Sequence, residues 1–157
     1  MPSITPFLWY DNNAEEAAKF YTSIFKNSRI VFESRNGDGG PGPAGSVWFV
    51  RFELDGQPFM ALNGGPLFQF TEAVSFMVDC ADQAEIDYYW ERLTAGSNQP
   101  GQCGWLKDKF GLSWQIVPTV LGELMSGGPE KSARVMAALM QMTKLDIAAL
   151  QKAYDEA

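Results

Sequence analysis

The chain has 157 residues, of which 46% are hydrophobic and 13% aromatic, so it can bury a substantial core as one ordinary domain. Its net charge of −7 argues against nucleic acid and anionic membrane as partners, because both need a concentrated basic surface and the 12 Lys and Arg residues are scattered. No apolar run approaches the ~20 residues of a membrane span, and the first residues lack the pattern of a signal peptide. We therefore expect a cytoplasmic protein whose two cysteines are free thiols.

The first half of the chain predicts the order β-α-β-β-β. Apolar and aromatic runs indicate strands at residues 4–10, 29–34, 46–54 and 56–62. Between the first two, Asn13 is expected to cap a helix with Glu16 in a capping box, because apolar residues then recur at helical spacing to residue 25.

A loop rich in Gly and Pro separates the second strand from the third, at residues 36–45. It contains the spacing Gly37-x-Gly39-x-x-Gly42, which resembles a dinucleotide-binding turn. Pro41 and Pro43 exclude the helix that such a turn must open, so we regard the match as chance. The loop is either a lid over a pocket or a plain hairpin connection.

The second half repeats this order. It predicts a strand at 74–79, a helix capped by Asp82 with Glu85, and a hairpin whose strands span 103–107 and 112–117 around Gly111. Residues 94–102 are polar and Gly-rich, so any strand there is short or absent. The stretch 56–62 aligns with 111–117 at a constant offset of 55 residues.

The repeat predicts an α+β fold of two βαβββ modules, at about residues 4–63 and 73–118. Their strands are expected to form a curved mixed sheet around a cavity, with the helices outside. Residues 119–157 add a C-terminal helical arm with predicted helices at 120–125 and 130–142 and a third that Asp146 caps. Short helices bury little alone, so the arm must dock on the same domain or on a partner subunit.

Two polar residues on the predicted strands are candidates for ligand contact. Gln115 lies mid-strand on the face opposite Trp114, where it is a ligand contact, a hydrogen-bonded core group or a solvent-facing residue. Arg51 could hold a carboxylate or phosphate; alternatively it pairs with Glu53 or a neighbouring acid, or is simply solvated. Because the chain has no His, Ser-His and Cys-His nucleophile pairs are excluded.

The sequence WLKDKFGLSWQIVP at 105–118, together with DNNAEE at 11–16 and AAKFY at 17–21, resembles the PhnB-like branch of the vicinal-oxygen-chelate superfamily. That superfamily includes glyoxalase I, bleomycin-resistance proteins and extradiol dioxygenases, and members of the branch often carry the label 3-demethylubiquinone 3-methyltransferase. The chain has no Gly-rich strand-to-helix turn for a nucleotide-like cofactor, so we predict no cofactor.

The resemblance implies four inward positions that hold metal ligands in metal-using relatives. They correspond here to Pro6, Met60, Ala73 or Ser75, and Gln115, of which only Gln115 is a credible ligand, so we predict a metal-free site. Strand alternation adds further residues to the expected pocket. The predicted ligand-binding set is Tyr10, Arg51, Met60, Ser75, Met77 and Gln115. The same alternation places Trp9, Phe59, Phe76 and Trp114 beneath the helices.

The leading functional hypothesis is metal-free binding of a small apolar or amphiphilic molecule in the sheet cavity, as the resemblance to bleomycin-resistance proteins implies. One alternative is an isomerase, lyase or transferase that uses Tyr10 or a carboxylate as acid or base. Another is a structural dimer without a ligand. We expect a homodimer in each case, because relatives commonly pair modules within or between chains and the arm is rich in Met.

Overall fold

The computed structural model describes residues 2–97, 99 and 101–156. It contains two compact units that divide after Phe70, and each is described by itself. Helices and mixed sheets occur in both units, which confirms the α+β class. The C-terminal helices fall within the second unit.

The first unit has the predicted β-α-β-β-β order. Its elements are β1 (Phe7–Tyr10), α1 (Ala14–Ile24), β2 (Arg29–Arg35), β3 (Val47–Leu54) and β4 (Gln57–Asn63). The sheet order is β1-β4-β3-β2, with β1 parallel to β4 and the other pairs antiparallel.

Helix α1 packs on one face of this sheet. The side chains of Val50, Phe52 and Ala61 are fully buried on that face. The Phe52 ring stacks on Tyr21 of α1 with 6.3 Å between centroids and on Phe59 at 5.4 Å. Aromatic pairs of this kind stabilise the folded state by about 1 kcal/mol each beyond the contribution of their buried area. The face that α1 covers is therefore the core of the unit.

The start of α1 differs from the predicted capping box. Asn13 makes no side-chain cap, because its ψ of 26° lies outside the extended conformation that a capping residue adopts. Instead Asn63, at the end of β4, accepts a hydrogen bond from the Ala14 backbone N–H at 2.8 Å. The Asn63 amide also donates to the Val47 carbonyl at 3.0 Å, so one side chain joins the helix start to two strands.

The second unit begins with a smaller version of the same module. Its elements are β5 (Ser75–Cys80), α2 (Gln83–Thr94), β6 (Trp105–Lys107) and β7 (Ser113–Pro118), with sheet order β5-β7-β6. The second module has one strand fewer than the full βαβββ pattern, because no residue described between α2 and β6 is in a strand. This agrees with the expectation that any strand at 94–102 is short or absent. Asp82 caps α2 as predicted and accepts from the Glu85 backbone N–H at 2.9 Å.

The β6–β7 hairpin is built around the carboxylate of Asp108, which is only 3% exposed. One carboxylate oxygen accepts from the backbone N–H groups of Phe110 at 2.9 Å and Leu112 at 3.1 Å. The other accepts from the Trp114 indole N–H at 2.9 Å. Gly111 takes the predicted positive φ, 87°. The conformation of the turn thus follows from one aspartate that the sequence analysis did not single out.

The arm forms three helices, α3 (Leu121–Leu124), α4 (Pro129–Met140) and α5 (Ile147–Asp155). Both α3 and α4 are shorter than predicted. Leu124, Val135 and Leu150, one from each helix, form a buried apolar cluster. None of the helices in the described part of the chain combines the length and the hydropathy that crossing a bilayer requires.

The segment between α4 and α5 attaches the arm to the rest of the second unit. The backbone N–H groups of Cys103 and Gly104 donate to the carbonyls of Met142 and Thr143, both at 2.8 Å. Gln83 of α2 donates to the Leu145 carbonyl at 3.0 Å and accepts from the Ile147 N–H at 2.9 Å. Of the two docking modes considered, contact within the same unit is therefore present.

Candidate ligand-binding surfaces

The face of the first sheet opposite α1 is apolar and partly exposed; we call it the first open face. Residues paired across neighbouring strands share a face, and the register pairs place these side chains together. The first open face consists of Phe7, Trp9, Phe32, Phe49, Arg51, Met60 and Leu62. Phe7 and Phe32 are each 54% exposed, which is a large exposed fraction for phenylalanine side chains. The first open face is therefore suited to contact with another molecule.

Arg51 lies in the middle of the first open face, beside Met60 on β4 and Phe32 on β2. Its predicted alternative partner, Glu53, is instead paired with Arg29 at 3.2 Å. Among the described residues no carboxylate lies within salt-bridge distance of Arg51, and the side chain is exposed. Pairing with Glu53 is therefore wrong, and ligand contact or solvation remains.

Tyr10 is not on the face predicted for it. It is 3% exposed, and its hydroxyl lies 3.1 Å from that of Tyr21 on α1. The register places Leu8 opposite Ala61 on the helix side, so Tyr10 follows Leu8 to that side and Trp9 takes the first open face. Aromatic residues occupy consecutive positions of β1, so alternation could not show which of them the helix covers.

The second sheet also has one face away from its helix, which we call the second open face. It carries Ser75, Met77, Trp105, Lys107, Ser113 and Gln115. Gln115 donates from its amide to the Ser75 hydroxyl at 2.9 Å, and Met77 is 57% exposed. Phe76 and Trp114 lie on the opposite face, so the predicted grouping of Ser75, Met77 and Gln115 holds. A role in ligand binding stays a prediction for each of the three.

Ser113 is a polar residue of the second open face that is not among the predicted ligand-binding residues. It lies directly opposite Ser75 in the parallel β5–β7 pair and is 1% exposed. Its hydroxyl has no hydrogen-bond partner among the described residues. Neighbouring Lys107 is paired with Glu72. The second open face is thus a small polar patch around Gln115 with one unused hydroxyl.

The residues at the implied metal positions offer few donors. Pro6 and Ala73 have no donor side chain, and Ser75 and Gln115 are hydrogen-bonded to each other. Within the described residues there is no cluster of three or more His, Cys, Asp or Glu that could share an ion. A metal-free site stays a prediction, supported by this donor chemistry.

The two cysteines differ in reactivity. Cys80 is completely buried at the end of β5, and burial, with lesser contributions from the charges of Glu85, Asp79 and Asp82, raises the pKa of its thiol to about 12. Cys103 is half-buried in the loop before β6. The thiolate is the reactive form, so Cys80 is almost entirely unreactive at pH 8, four units below that pKa.

We therefore expect one thiol per native chain to react rapidly with an aromatic disulfide reagent at pH 8, and two after unfolding in guanidinium. The Cys103→Ser variant should lose the rapid phase and keep the reaction of the unfolded chain. Rapid labelling of native Cys103→Ser would contradict the assignment.

Comparison with solved structures places the fold in a known class. A protein from Pseudomonas aeruginosa matches with a TM-score of 0.59 at 19% identity, covering 75% of this chain and 98% of its own. The fosfomycin resistance protein FosX from Mesorhizobium loti matches with a TM-score of 0.56 at 16% identity, covering 78% and 94%. These likenesses show that the chain shares its fold with both proteins.

A closer relative narrows this to a family. The putative 3-demethylubiquinone-9 3-methyltransferase, PhnB protein, from Bacillus cereus is 39% identical, with a TM-score of 0.67, and the match covers 75% of this chain and all of that one. The family model for 3-demethylubiquinone-9 3-methyltransferase matches residues 2–117. The chain belongs to this PhnB-like family. The match ends before α3, so the helical arm lies outside it, and no curated protein matches the chain.

Proposed function

We propose that this protein binds a small amphiphilic molecule with an acidic group, without a metal ion, against the first open face. The observation that carries the proposal is the exposed Arg51, which lacks a carboxylate partner among the described residues and lies between Phe32 and Met60. A cation surrounded by exposed apolar side chains complements a ligand with an anionic head and an apolar body.

The energetics of this face favour such a ligand over a purely polar one. A guanidinium can form two parallel hydrogen bonds to a carboxylate or phosphate. Covering the exposed halves of Phe7 and Phe32 would add about 1 kcal/mol each, because complete burial of such a side chain is worth about 2 kcal/mol. Together these contributions suit a ligand that binds in about the millimolar range.

The second open face is proposed as a further contact surface for a polar group. Gln115 uses one amide hydrogen on Ser75, which orients its side chain. The remaining amide hydrogen and carbonyl oxygen are available to a ligand, next to the exposed Met77.

An enzymatic role is the competing proposal. The printed name of the Bacillus cereus relative makes methyl transfer the first reaction to assay. Tyr10 is a poor acid or base for any such reaction, because it is buried on the side of β1 that faces α1 and its hydroxyl lies 3.1 Å from that of Tyr21. A carboxylate would have to serve, and turnover without added metal would favour this alternative.

The binding proposal is tested with decanoate and decanol, which share an apolar chain and differ in the head group. We expect decanoate to bind more tightly, and Arg51→Met to weaken decanoate binding about tenfold while leaving decanol unchanged, because the loss of a charge-assisted contact costs about 1.5 kcal/mol. Arg92→Met, on the exposed side of α2, is the matched control. Titrations followed by calorimetry provide the measurement.

Equal effects of the Arg51 and Arg92 substitutions, or binding of neither compound, would refute the proposed site. Native mass spectrometry of protein purified from its own host would identify a retained ligand directly.

We also propose a homodimer, a metal-free site and a cytoplasmic location. The homodimer is tested by sedimentation at micromolar concentration. If it forms, the exposed Met136 and Met140 of α4 are the first side chains to substitute. The metal-free site is checked by elemental analysis of protein purified without chelator, comparing the wild type with Gln115→Ala. The cytoplasm remains the proposed compartment, in keeping with two unpaired thiols.

A further inference from the structure

A cleft of about 660 Å³ lies within the first unit, at the end of the sheet where β1, β2 and β4 finish; we call it the end cleft. Its volume is in the range of small-molecule sites. The loop at 36–45, considered above as a possible lid, contributes Pro41, Gly42 and Pro43 to its wall. The side chains with chemical character are Trp9, Asp11, Glu15, Asn36 and Trp48.

Two indole rings contribute to the walls of the end cleft. Trp9 is held in place, because its indole N–H donates to the Gly65 carbonyl at 2.9 Å and its ring meets Phe68 edge-on at 4.9 Å. A side chain at Gly64 would collide with this ring, so the glycine allows the indole to lie against the backbone. Trp48 is 39% exposed. Indole faces attract cations more strongly than the other aromatic side chains do.

The charge of the end cleft is negative. Glu15 and Asp11 line it, and none of its lining residues is Lys or Arg. Glu15 is already paired with Lys19 at 2.8 Å. The hydrogen bond from Lys19, and more weakly the charges of Lys19 and Arg35, lower the pKa of its carboxyl, so its charge is largely compensated. Asp11 is exposed and has no cationic partner among the described residues. Asp11 is therefore the carboxylate that remains for a ligand.

Asn36 gives a second, independent indication of a missing partner. It is 8% exposed, and its amide nitrogen donates to the Ser46 hydroxyl at 2.9 Å. Its side-chain carbonyl oxygen accepts no hydrogen bond within the described residues. An unsatisfied buried acceptor is costly, and it calls for an N–H or O–H donor. This oxygen is inaccessible and lies against Gly40, so a donor from the cleft reaches it only when residues 40–42 move aside.

We propose that the end cleft binds a protonated primary amine with an aromatic or apolar substituent. The indoles of Trp9 and Trp48 contact the substituent and the cation, and Asp11 balances its charge. Asn36 accepts one of its N–H groups once residues 40–42 move aside. A quaternary ammonium ion, which has no N–H, would leave Asn36 unsatisfied and bind less tightly. The end cleft and the first open face share Trp9 and Leu62. The two ligands are opposite in charge and are tested through different residues, Asp11 and Arg51, so the two proposals stand or fall separately.

The probe for this site is 2-phenylethylammonium, with 2-phenylethanol as its neutral counterpart. Binding is followed through the indole N–H signals in two-dimensional NMR spectra, assigned by substituting each Trp. We expect the Trp9 and Trp48 signals to shift on titration with the amine, and the amine to bind at least tenfold more tightly than the alcohol.

The charge contribution is tested with a matched pair of substitutions in the same unit. Asp11→Asn should weaken amine binding about fourfold, whereas Asp38→Asn, an exposed residue that does not line the cleft, should leave it unchanged. Trp48→Leu should weaken it about tenfold while the native Tm changes little, because the ring is already largely solvated on one side.

Any of three results would overturn the proposal. These are no shift of either indole signal at about 10 mM amine, equal binding of amine and alcohol, or equal effects of the Asp11 and Asp38 substitutions. Tighter binding of benzyltrimethylammonium than of the primary amine would remove the role assigned to Asn36.

Discussion

The Asp108→Ala variant is expected to unfold with a free energy about 3 to 5 kcal/mol below that of the wild type. The substitution removes the acceptor of three hydrogen bonds, from the Phe110 and Leu112 backbones and the Trp114 indole. At least two of these donors are buried, since Leu112 and Trp114 are each 3% exposed. These N–H groups would lose their charged acceptor, and water could not reach them to replace it.

Urea denaturation followed by tryptophan fluorescence provides the measurement. Asp108→Asn keeps one oxygen acceptor and should lose about half as much stability as Asp108→Ala. Asp79→Ala, at an exposed position of β5, is the control and should change the free energy of unfolding by less than about 0.5 kcal/mol. A loss below about 1 kcal/mol for Asp108→Ala would show that the turn is held by the backbone alone.

The second large effect is expected for Leu145→Ala, with a loss of about 3 kcal/mol. Leu145 is 1% exposed although it lies outside any helix. It packs against Gly104, where an added Cβ would come within 3.0 Å of the Leu145 side chain and 2.9 Å of the Ile116 carbonyl. Its backbone carbonyl accepts from Gln83. Truncation therefore opens a cavity where the arm joins the hairpin.

Because the cavity lies at the attachment of the arm, Leu145→Ala should also expose the arm to protease before the rest of the chain unfolds. Limited proteolysis followed by mass spectrometry should show cleavage within the arm, at residues 119–157, in this variant. Met136→Ala removes a side chain that is 41% exposed and is the control. Wild-type stability and protease resistance in Leu145→Ala would mean that this contact contributes little.

The elements that the sequence predicted correctly are those with strong local patterns. Alternating apolar residues identified β3, and Asp82 identified the start of α2. In the hairpin, Gly111 signalled the turn, but nothing local showed that Asp108 would reach both the turn backbone and the Trp114 indole. A side chain that accepts from three donors can be recognised only once the chain has folded back on itself.

The candidate site residues also divide into those that a local pattern placed correctly and those that only the folded structure could place. Ser75, Met77 and Gln115 share a face because alternation within one strand is a local property that survives folding. Tyr10 was assigned to the wrong face, since β1 carries aromatic residues on both faces and only the position of α1 decides which are buried.

The sequence by itself therefore determined the class of fold, the order of its elements and the family. Strand and helix periodicity, turn glycines and the motif at 105–118 depend on residues that are close together along the chain. Only the tertiary structure decided that Arg51 is left without Glu53, that Asn63 caps α1, and that Trp9, Asp11 and Asn36 line one cleft. Each of these depends on which strands become neighbours and in which register, and that choice is made by packing of the whole unit.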